Sequence, residues 1–293
     1  MKPLLTIGLP AYNNAATLEA AVRSLLAQTH RELRLVISDD CSSDATEAVA
    51  RRLAAEDQRI EYIRQPVNLK YRNFGFLLHR ANTPYFMWAA GDDHWEPDFA
   101  ALCIATLEAR PEAVLAVTRV EFTDAHSGRR WLARGTFGIE QPDWAQRVRA
   151  YLRMPADNSR MYGVFRTAAA QASFPDDTFH AYDWAFSAAL LKRGCHVELP
   201  QVAMRRDKTP THKYQQLAAH DARHALDHWF PIWRMSVWLL RTGHLPRSLG
   251  VAWQLLVLNI VKHAEMVDAR WPRLYHPWQT LAAVARRLFG RRA

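Results

Sequence analysis

The amino-acid sequence predicts an α/β fold in which a mostly parallel, twisted sheet is flanked by helices, followed by a C-terminal helical extension. Three observations support this prediction. Short apolar runs alternate with segments whose apolar residues recur at helical spacing. The segments between the predicted strands are long enough for right-handed crossovers. The predicted strands also end in polar or turn-forming residues, which is where parallel sheets bind ligands.

The first part of the chain holds four predicted strands and three predicted helices. In order they are strand 4–10, helix 16–28, strand 33–37, helix 45–55, strand 60–63, helix 74–80 and strand 85–89. Because the carboxyl ends of parallel strands share one edge, residues 10–14, 39–40 and 92–93 are expected to converge there.

Two adjacent carboxylates, Asp92 and Asp93, follow the apolar run Tyr85–Ala89. Carboxylates at the carboxyl end of a parallel strand are typical of a site for a metal ion and a phosphate ester. Aspartates at such positions also cap turns and helices. The pair alone therefore leaves both interpretations open.

Four motifs in order resemble the family 2 inverting glycosyltransferases with the GT-A fold. They are Leu9–Asn13, Ser24–Thr29, Ser38–Asp44, and Tyr85–Trp88 followed by Asp92-Asp93. The similarity covers roughly the first 110 residues and continues more weakly to about residue 206. It implies a catalytic domain at 1–206, with a basic, Trp-rich helical region at 207–293. It also implies transfer of a sugar from a nucleotide-diphosphate donor to an acceptor hydroxyl.

The resemblance assigns Asp93 to a Mg²⁺ or Mn²⁺ ion, which would neutralise the departing diphosphate. It assigns Asp92 to the ribose or the donor sugar. Many relatives carry another aspartate two positions before the pair, where this chain has Ala90. The division of roles between the two carboxylates is therefore left open.

The resemblance also implies a nucleotide site on the neighbouring strands. Asp40 is expected to meet the base. The aromatic ring of Tyr12 offers a stacking surface, with a tyrosine that only covers the sheet edge as the alternative. Arg72 and Lys70 are candidates for contact with the diphosphate, with simple solvation as the alternative. The expected loop against which the base packs consists of Pro10, Ala11 and Tyr12.

An inverting transfer needs a base that removes the proton of the acceptor hydroxyl. The segment Phe179–Phe186 resembles the acidic pair that supplies this base in the family, with Tyr182 in place of the first acid. Asp183 is therefore the expected base, and an aspartate favoured by a helix dipole is the alternative. A helix is predicted at 185–193. His212 is a further candidate for a loop over the diphosphate, or a plain polar loop residue.

The composition indicates the size of the core and the cellular compartment. The 293 residues are 49% apolar, which is enough for one substantial core and a smaller attachment. Three cysteines without metal-ligand spacing favour a reduced, cytoplasmic compartment. The N-terminal apolar stretch is interrupted by Pro10 and does not resemble a signal peptide.

The C-terminal region is basic and rich in tryptophan. From Arg205 onward there are 15 Lys and Arg against 5 Asp and Glu, a net charge of +10. Helices are predicted at 217–240, 248–267 and 278–289, and the most apolar piece, 249–261, is too short to span a bilayer. Such helices suit the anionic inner face of the cell membrane. Packing on the catalytic domain or on a second subunit is equally open, whereas nucleic acid is not an expected partner.

The leading hypothesis is a metal-dependent inverting glycosyltransferase that acts on a glycan or lipid-linked acceptor in envelope or surface glycan synthesis. A nucleotidyltransferase is an alternative, but it needs a basic, glycine-bearing loop after the first strand, and residues 10–16 contain neither feature. A catalytically silent glycan-binding or scaffold relative is another alternative. The presence of both Asp93 and Asp183 counts against it. The donor sugar, base, acceptor and oligomeric state are left open.

Overall fold

The computed structural model describes residues 3–124, 126–177, 179–207 and 225–270. The chain divides into two compact units. The first comprises Met1–Glu140, Ala156–Asp177 and Arg193–Thr209, and the second comprises Gln141–Pro155, Thr178–Lys192 and Pro210–Ala293. The domain boundary at 206/207 remains a prediction from the sequence.

The described residues form nine strands and ten helices, together with a 3₁₀ turn at Ser159–Tyr162. The strands are β1 (Leu5–Ala11), β2 (Leu33–Asp39), β3 (Ile60–Arg64), β4 (Tyr85–Trp88), β5 (Asp93–Trp95), β6 (Ala113–Thr123), β7 (Arg130–Leu132), β8 (Val164–Arg166) and β9 (Cys195–Asp207). The helices are α1 (Leu18–Leu26), α2 (Thr46–Glu56), α3 (Arg72–Arg80), α4 (Phe99–Ala109), α5 (Trp144–Arg153), α6 (Thr167–Gln171), α7 (Tyr182–Leu190), α8 (Ala225–Trp229), α9 (Trp233–Arg241) and α10 (Leu249–Arg270).

The first unit is built on one sheet with the strand order β3-β2-β1-β4-β8-β6-β9-β5, and β7 pairs with β6. β3, β2, β1 and β4 are parallel, as the crossover pattern predicts. β8 runs antiparallel to both of its neighbours, and β6 and β9 are parallel to each other. The sheet is therefore parallel from β3 to β4 and mixed beyond β4.

The parallel strands are buried on both faces because helices cover the sheet. Leu5, Ile7 and Leu9 of β1 have no exposed surface. Between them, Gly8 lets α3 approach closely, since a Cβ there would lie 3.0 Å from the Cβ of Leu77. This packing fixes where β1 ends relative to β4, whose Trp88 pairs with Gly8.

The sequence-based elements of the first 90 residues are confirmed, with boundaries that move by up to two residues. The predicted helix at 185–193 is also present but begins earlier, at Tyr182, as α7. Ala181, with φ of 63°, precedes it in a left-handed conformation. α7 is almost entirely buried within the second unit, where α5 and α9 pack against it.

The helix predicted at 217–240 is wrong in its described part, because the chain forms α8 and α9 there with a break between them. Pro231 causes the break, since proline has no N–H to donate and its ring clashes with the preceding turn. Asp227 holds the two helices together. It accepts hydrogen bonds from Trp233 Nε1 at 2.6 Å and Arg234 Nε at 2.9 Å.

The predicted helix at 278–289 and His212 lie outside the described residues. Over the described ranges, no helix is both long enough and apolar enough to cross a membrane.

Candidate active site

The carboxyl ends of β1 and β2 meet, as the sequence predicts. The N–H of Asp40 donates to the carbonyl of Ala11 at 2.8 Å. The N–H of Asn13 donates to Ser42 Oγ at 2.9 Å, and Asn13 has a positive φ of 53°. These contacts fix the loop after β1 against the loop after β2, with Pro10 half-buried and Ala11 buried beneath them.

Tyr12 projects from this edge with 51% of its surface exposed. Its own N–H is held by Asn14 Oδ1 at 2.9 Å. A ring on a fixed backbone with a solvent-facing surface is able to stack on a nucleotide base. The position of Tyr12 is therefore compatible with the role that the resemblance implies.

The two aspartates after β2 have different surroundings. Asp39 is fully buried and accepts hydrogen bonds from the Tyr62 hydroxyl at 2.8 Å and from Arg64 Nη1 at 3.0 Å. Burial, and then the hydrogen bond to Asp39, raise the pKa of Tyr62 to about 12. Asp39 therefore stabilises the end of β2 and does not face solvent.

Asp40 holds a neighbouring loop. Its carboxylate accepts from the N–H groups of Leu69 at 2.6 Å and Lys70 at 2.8 Å. Burial raises the pKa of Asp40, while these two N–H groups act in the opposite direction. Lys70 and Arg72 are both exposed, and Arg72 is the first residue of α3. Asp40 thus holds the segment with Lys70 and Arg72 at the carboxyl edge of the parallel strands. These two residues are the candidate diphosphate-binding cations.

The loop after β4 joins the same edge through Gly91. A Cβ at Gly91 would lie 3.1 Å from Asn14 Cγ, so the two loops are in close contact. Asp92 follows directly and is exposed, whereas Asp93 begins β5 and is only 4% exposed. The expected convergence of residues 10–14, 39–40 and 92–93 is therefore present in the first unit.

Asp93 forms a buried ion pair that the sequence does not reveal. Its Oδ2 accepts from Arg206 Nε at 2.9 Å, and the side chains of Asp93 and Arg206 are 2% and 20% exposed. The Arg206 guanidinium also lies over the ring of Tyr162, 4.2 Å from its centroid. Burial raises the pKa of Asp93 to about 7, against the opposing effect of Arg206.

The fit of a divalent cation depends on which oxygens are available. In the part of the chain that the structure describes, no three His, Cys, Asp or Glu side chains cluster to hold a metal. Mg²⁺, however, often takes one or two carboxylates and completes its shell with phosphate oxygens and water. Asp92 offers an exposed carboxylate for this, and one oxygen of Asp93 is already held by Arg206. The residues therefore suit a cation that arrives with a diphosphate.

The expected base, Asp183, belongs to the second unit and lies in the first turn of α7. It is partly exposed on a helix that is otherwise buried. The helix dipole favours a negative charge at this position. A carboxylate at this position suits both interpretations of Asp183.

The sequence analysis placed Asn14 and Asp39 at this edge without giving them a role, and it missed Arg206. Asp39 lies within the motif Ser38–Asp44, and Asn14 directly follows the motif Leu9–Asn13. Arg206 gives no such signal because it is 113 residues from its partner.

Comparison with known proteins finds glycosyltransferases among the similar chains. The family model described as "Glycosyl transferase family 2" matches residues 6–174. A putative teichuronic acid biosynthesis glycosyltransferase, TuaG of Bacillus subtilis, is 33% identical over 100 residues, which cover 33% of this chain and 39% of that protein. The GalNAc(5)-diNAcBac-PP-undecaprenol beta-1,3-glucosyltransferase of Campylobacter jejuni is 38% identical over 60 residues, covering 20% of this chain and 19% of that one. The matched segments thus span less than two fifths of these relatives.

The fold is also that of a solved structure, the mannosyltransferase PcManGT from Pyrobaculum calidifontis in complex with GDP-Man and Mn²⁺. The TM-score is 0.53 at 16% identity, with 100% of this chain and 89% of that chain covered. The likeness shows that the α/β architecture is the GT-A fold.

Proposed function

The chain belongs to glycosyl transferase family 2, and we propose that it transfers a sugar from a nucleotide-diphosphate donor to an acceptor hydroxyl with inversion. The observation that carries the proposal is the meeting of three loops, after β1, β2 and β4, at one edge of the sheet. That edge is where α/β folds bind nucleotides. Family membership also removes the nucleotidyltransferase alternative.

The donor would bind with its base against Pro10, Ala11 and Tyr12 and near Asp40. Arg72, at the start of α3, would face the diphosphate, where its fixed charge and planar donors suit phosphate oxygens. The solved relative with GDP-Man and Mn²⁺ supports a nucleotide-sugar donor.

We assign Asp93 to the divalent cation through the oxygen that Arg206 does not hold, and Asp92 to the ribose or the donor sugar. When bound, the cation would neutralise the negative charge that develops on the departing diphosphate. Arg206 would keep the Asp93 carboxylate in one orientation. Asp183 would accept the proton of the acceptor hydroxyl as that oxygen attacks the anomeric carbon.

The acceptor is proposed to be a glycan or a lipid-linked intermediate of envelope or surface glycan synthesis. The names of the teichuronic acid enzyme and of the undecaprenol-linked glucosyltransferase support this class. An acceptor of this kind would place the enzyme in the cytoplasm, at the inner face of the membrane.

The test measures the affinity of UDP and GDP by calorimetry, with and without Mn²⁺. The wild-type protein is expected to bind one of them, and Mn²⁺ is expected to strengthen that binding. Asp93→Asn should lose the strengthening by Mn²⁺, because an amide has no charge for the cation. Asp98→Asn, which removes an exposed carboxylate five residues away, serves as the matched control and should behave as wild type.

The outcome also decides between the two carboxylates. If Asp93→Asn kept the Mn²⁺ effect and Asp92→Asn lost it, the cation would belong to Asp92, and the role of Asp93 would be limited to its pair with Arg206. Absence of binding to any nucleotide diphosphate would contradict the donor site itself.

A further inference from the structure

Helix α10 carries an exposed apolar stripe in the second unit. Leu249, Trp253, Leu256 and Ile260 recur at spacings of four, three and four residues, which places them on one face. They are 91%, 46%, 51% and 50% exposed. The opposite face is used internally, because Val251, Leu255 and Leu258 are buried. The helix is therefore apolar on two sides, and only one of them contributes to the core.

The stripe continues into a shallow apolar groove beside the loop between α9 and α10. The groove has a volume of about 260 Å³ and is lined by Leu240, Leu245, Pro246, Val251, Leu255 and Leu256, among others. Leu240 is itself 62% exposed. The stripe and the groove together form one contiguous surface, which we call the α10 face. Exposed apolar surface of this kind marks an interaction site.

The exposed charges beside the groove are cationic. Residues 228–264 contain four Lys and Arg and no Asp or Glu, although Arg234 pairs with Asp227 and Lys262 pairs with Glu265. Two of these cations, Arg241 and Arg247, are exposed and lie at the end of α9 and in the following loop. A cationic border around apolar residues is complementary to an anionic, apolar partner.

This charge pattern disfavours the two occupants that the chain itself could provide. A second copy that paired symmetrically through the α10 face would bring Arg241 and Arg247 of one copy toward those of the other. The C-terminal segment 271–293 is also cationic, with five arginines and no Asp or Glu. An anionic lipid bilayer meets both requirements, because its headgroups attract the arginines and its acyl boundary accepts leucine, isoleucine and tryptophan.

We propose that the α10 face is a docking surface for an anionic membrane, with α10 lying in the plane of the interface. The proposal rests on the proposed function in one respect, since docking would bring the enzyme to a lipid-linked acceptor. Lipid binding itself requires neither donor nor catalysis. The two claims can therefore fail separately.

The test is co-sedimentation of the full-length protein with vesicles of phosphatidylcholine, with and without phosphatidylglycerol. The intact protein is expected to bind the anionic vesicles and to be released at about 1 M salt, where the Debye length falls to about 3 Å. Arg241→Gln/Arg247→Gln should weaken binding about 30-fold at low salt, since each cation near such a surface contributes about fivefold. The matched control is Arg129→Gln/Arg134→Gln, which removes two exposed cations of the first unit and should leave binding unchanged.

The apolar part of the surface is tested with Leu249→Ser/Leu256→Ser/Ile260→Ser. Each of these side chains has half or more of its surface available for burial in the membrane. The affinity for anionic vesicles is therefore expected to fall about fivefold or more per residue, and on the order of 100-fold for the three together. The control is Leu132→Ser/Val202→Ser, which changes two exposed apolar residues of the first unit. Melting temperature and nucleotide affinity of every variant should match wild type.

Three results would overturn the proposal. The first is wild-type protein that stays off anionic vesicles at every salt concentration. The second is vesicle binding that the triple serine variant keeps but that is lost when Arg286, Arg287, Arg291 and Arg292 are changed to glutamine. The third is a wild-type dimer that becomes a monomer in the triple serine variant, measured by light scattering, with no vesicle binding by either. If vesicles bind as expected but no nucleotide does, the docking surface stands and the proposed function fails.

Discussion

The Asp93–Arg206 pair makes a prediction that concerns stability and is independent of the unidentified substrates. Arg206→Met keeps a long apolar side chain but removes the guanidinium that contacts Tyr162 and Asp93, so Asp93 loses its buried partner. The neighbouring Arg205 provides the control. It is 50% exposed and pairs with Glu96 at 2.8 Å, so Arg205→Met removes the same charge from an ion pair that is much more exposed than Asp93–Arg206.

The magnitudes follow from burial. Breaking a buried pair by removing one partner costs about 3–5 kcal/mol, because the remaining charge is uncompensated. A solvated pair contributes about 1 kcal/mol or less. With side-chain exposures of 2% for Asp93 and 20% for Arg206, this pair belongs to the buried class. In the variant the Asp93 carboxyl can protonate instead, which costs about 1.4 kcal/mol per pH unit above its pKa of about 7. Arg206→Met is therefore expected to lose about 2 kcal/mol at pH 8.5, and Arg205→Met less than about 1 kcal/mol.

The loss should depend on pH, with a sign fixed by the raised pKa of Asp93. A carboxyl group that is protonated more readily in the folded state destabilises the fold as pH rises through its folded pKa. That pKa is about 7. At pH 5.5 the Asp93 carboxyl is mostly protonated and neutral, so the loss of Arg206 leaves little uncompensated charge. The cost of Arg206→Met should therefore be smaller at pH 5.5 than at pH 8.5.

The assay is urea unfolding followed by circular dichroism at both pH values, with Asp93→Asn/Arg206→Met as a fourth protein. The double variant should recover part of the stability lost in Arg206→Met, because it leaves no buried charge behind. Equal losses for Arg206→Met and Arg205→Met at pH 8.5, or a larger loss at pH 5.5, would refute the interpretation of this pair.

Three further predictions test other parts of the site. Asp183→Asn should reduce turnover by a factor on the order of 10²–10⁴ and leave the nucleotide affinity unchanged, as expected for a general base; a matching loss of affinity would contradict that role. Tyr12→Ala should weaken nucleotide binding by about 1–3 kcal/mol while Tyr12→Phe retains it, as measured by calorimetry; equal effects of both changes would exclude stacking. Gly8→Ala should destabilise the fold by about 1–3 kcal/mol in urea, because its Cβ would meet Leu77 at 3.0 Å; an unchanged midpoint would show that α3 can move away.

Local pattern was sufficient for the parallel half of the sheet. The strands β1 to β4 and the helices between them each carry their own apolar periodicity, and the polar residues at their ends mark the site edge. The same local signals locate Tyr12, Asp40 and Asp92 on that edge. This half could be predicted because the apolar pattern of each strand or helix is contained within about ten residues.

The rest depends on contacts between distant parts of the chain. Register shifts interrupt the pairing of β6 with β9, whose 13 residues include Pro200 and several polar side chains. Arg206 meets Asp93 only because β9 lies beside β5, an arrangement set by the whole sheet. Asp40 likewise holds Leu69 and Lys70 across a loop of irregular sequence. Pro231, by contrast, is a local signal of a helix break. The helical spacing of the apolar residues on both sides of it predicted one continuous helix instead.

The most direct test of the proposed chemistry is the anomeric configuration of the sugar in the first product formed from a bound nucleotide-sugar donor. Proton NMR couplings report that configuration when transfer is followed in real time. Because a single displacement by the acceptor oxygen inverts the anomeric carbon, the product of an α-linked donor should be β-linked. A product that retains the donor's configuration would contradict the mechanism and the assignment of Asp183 as its base.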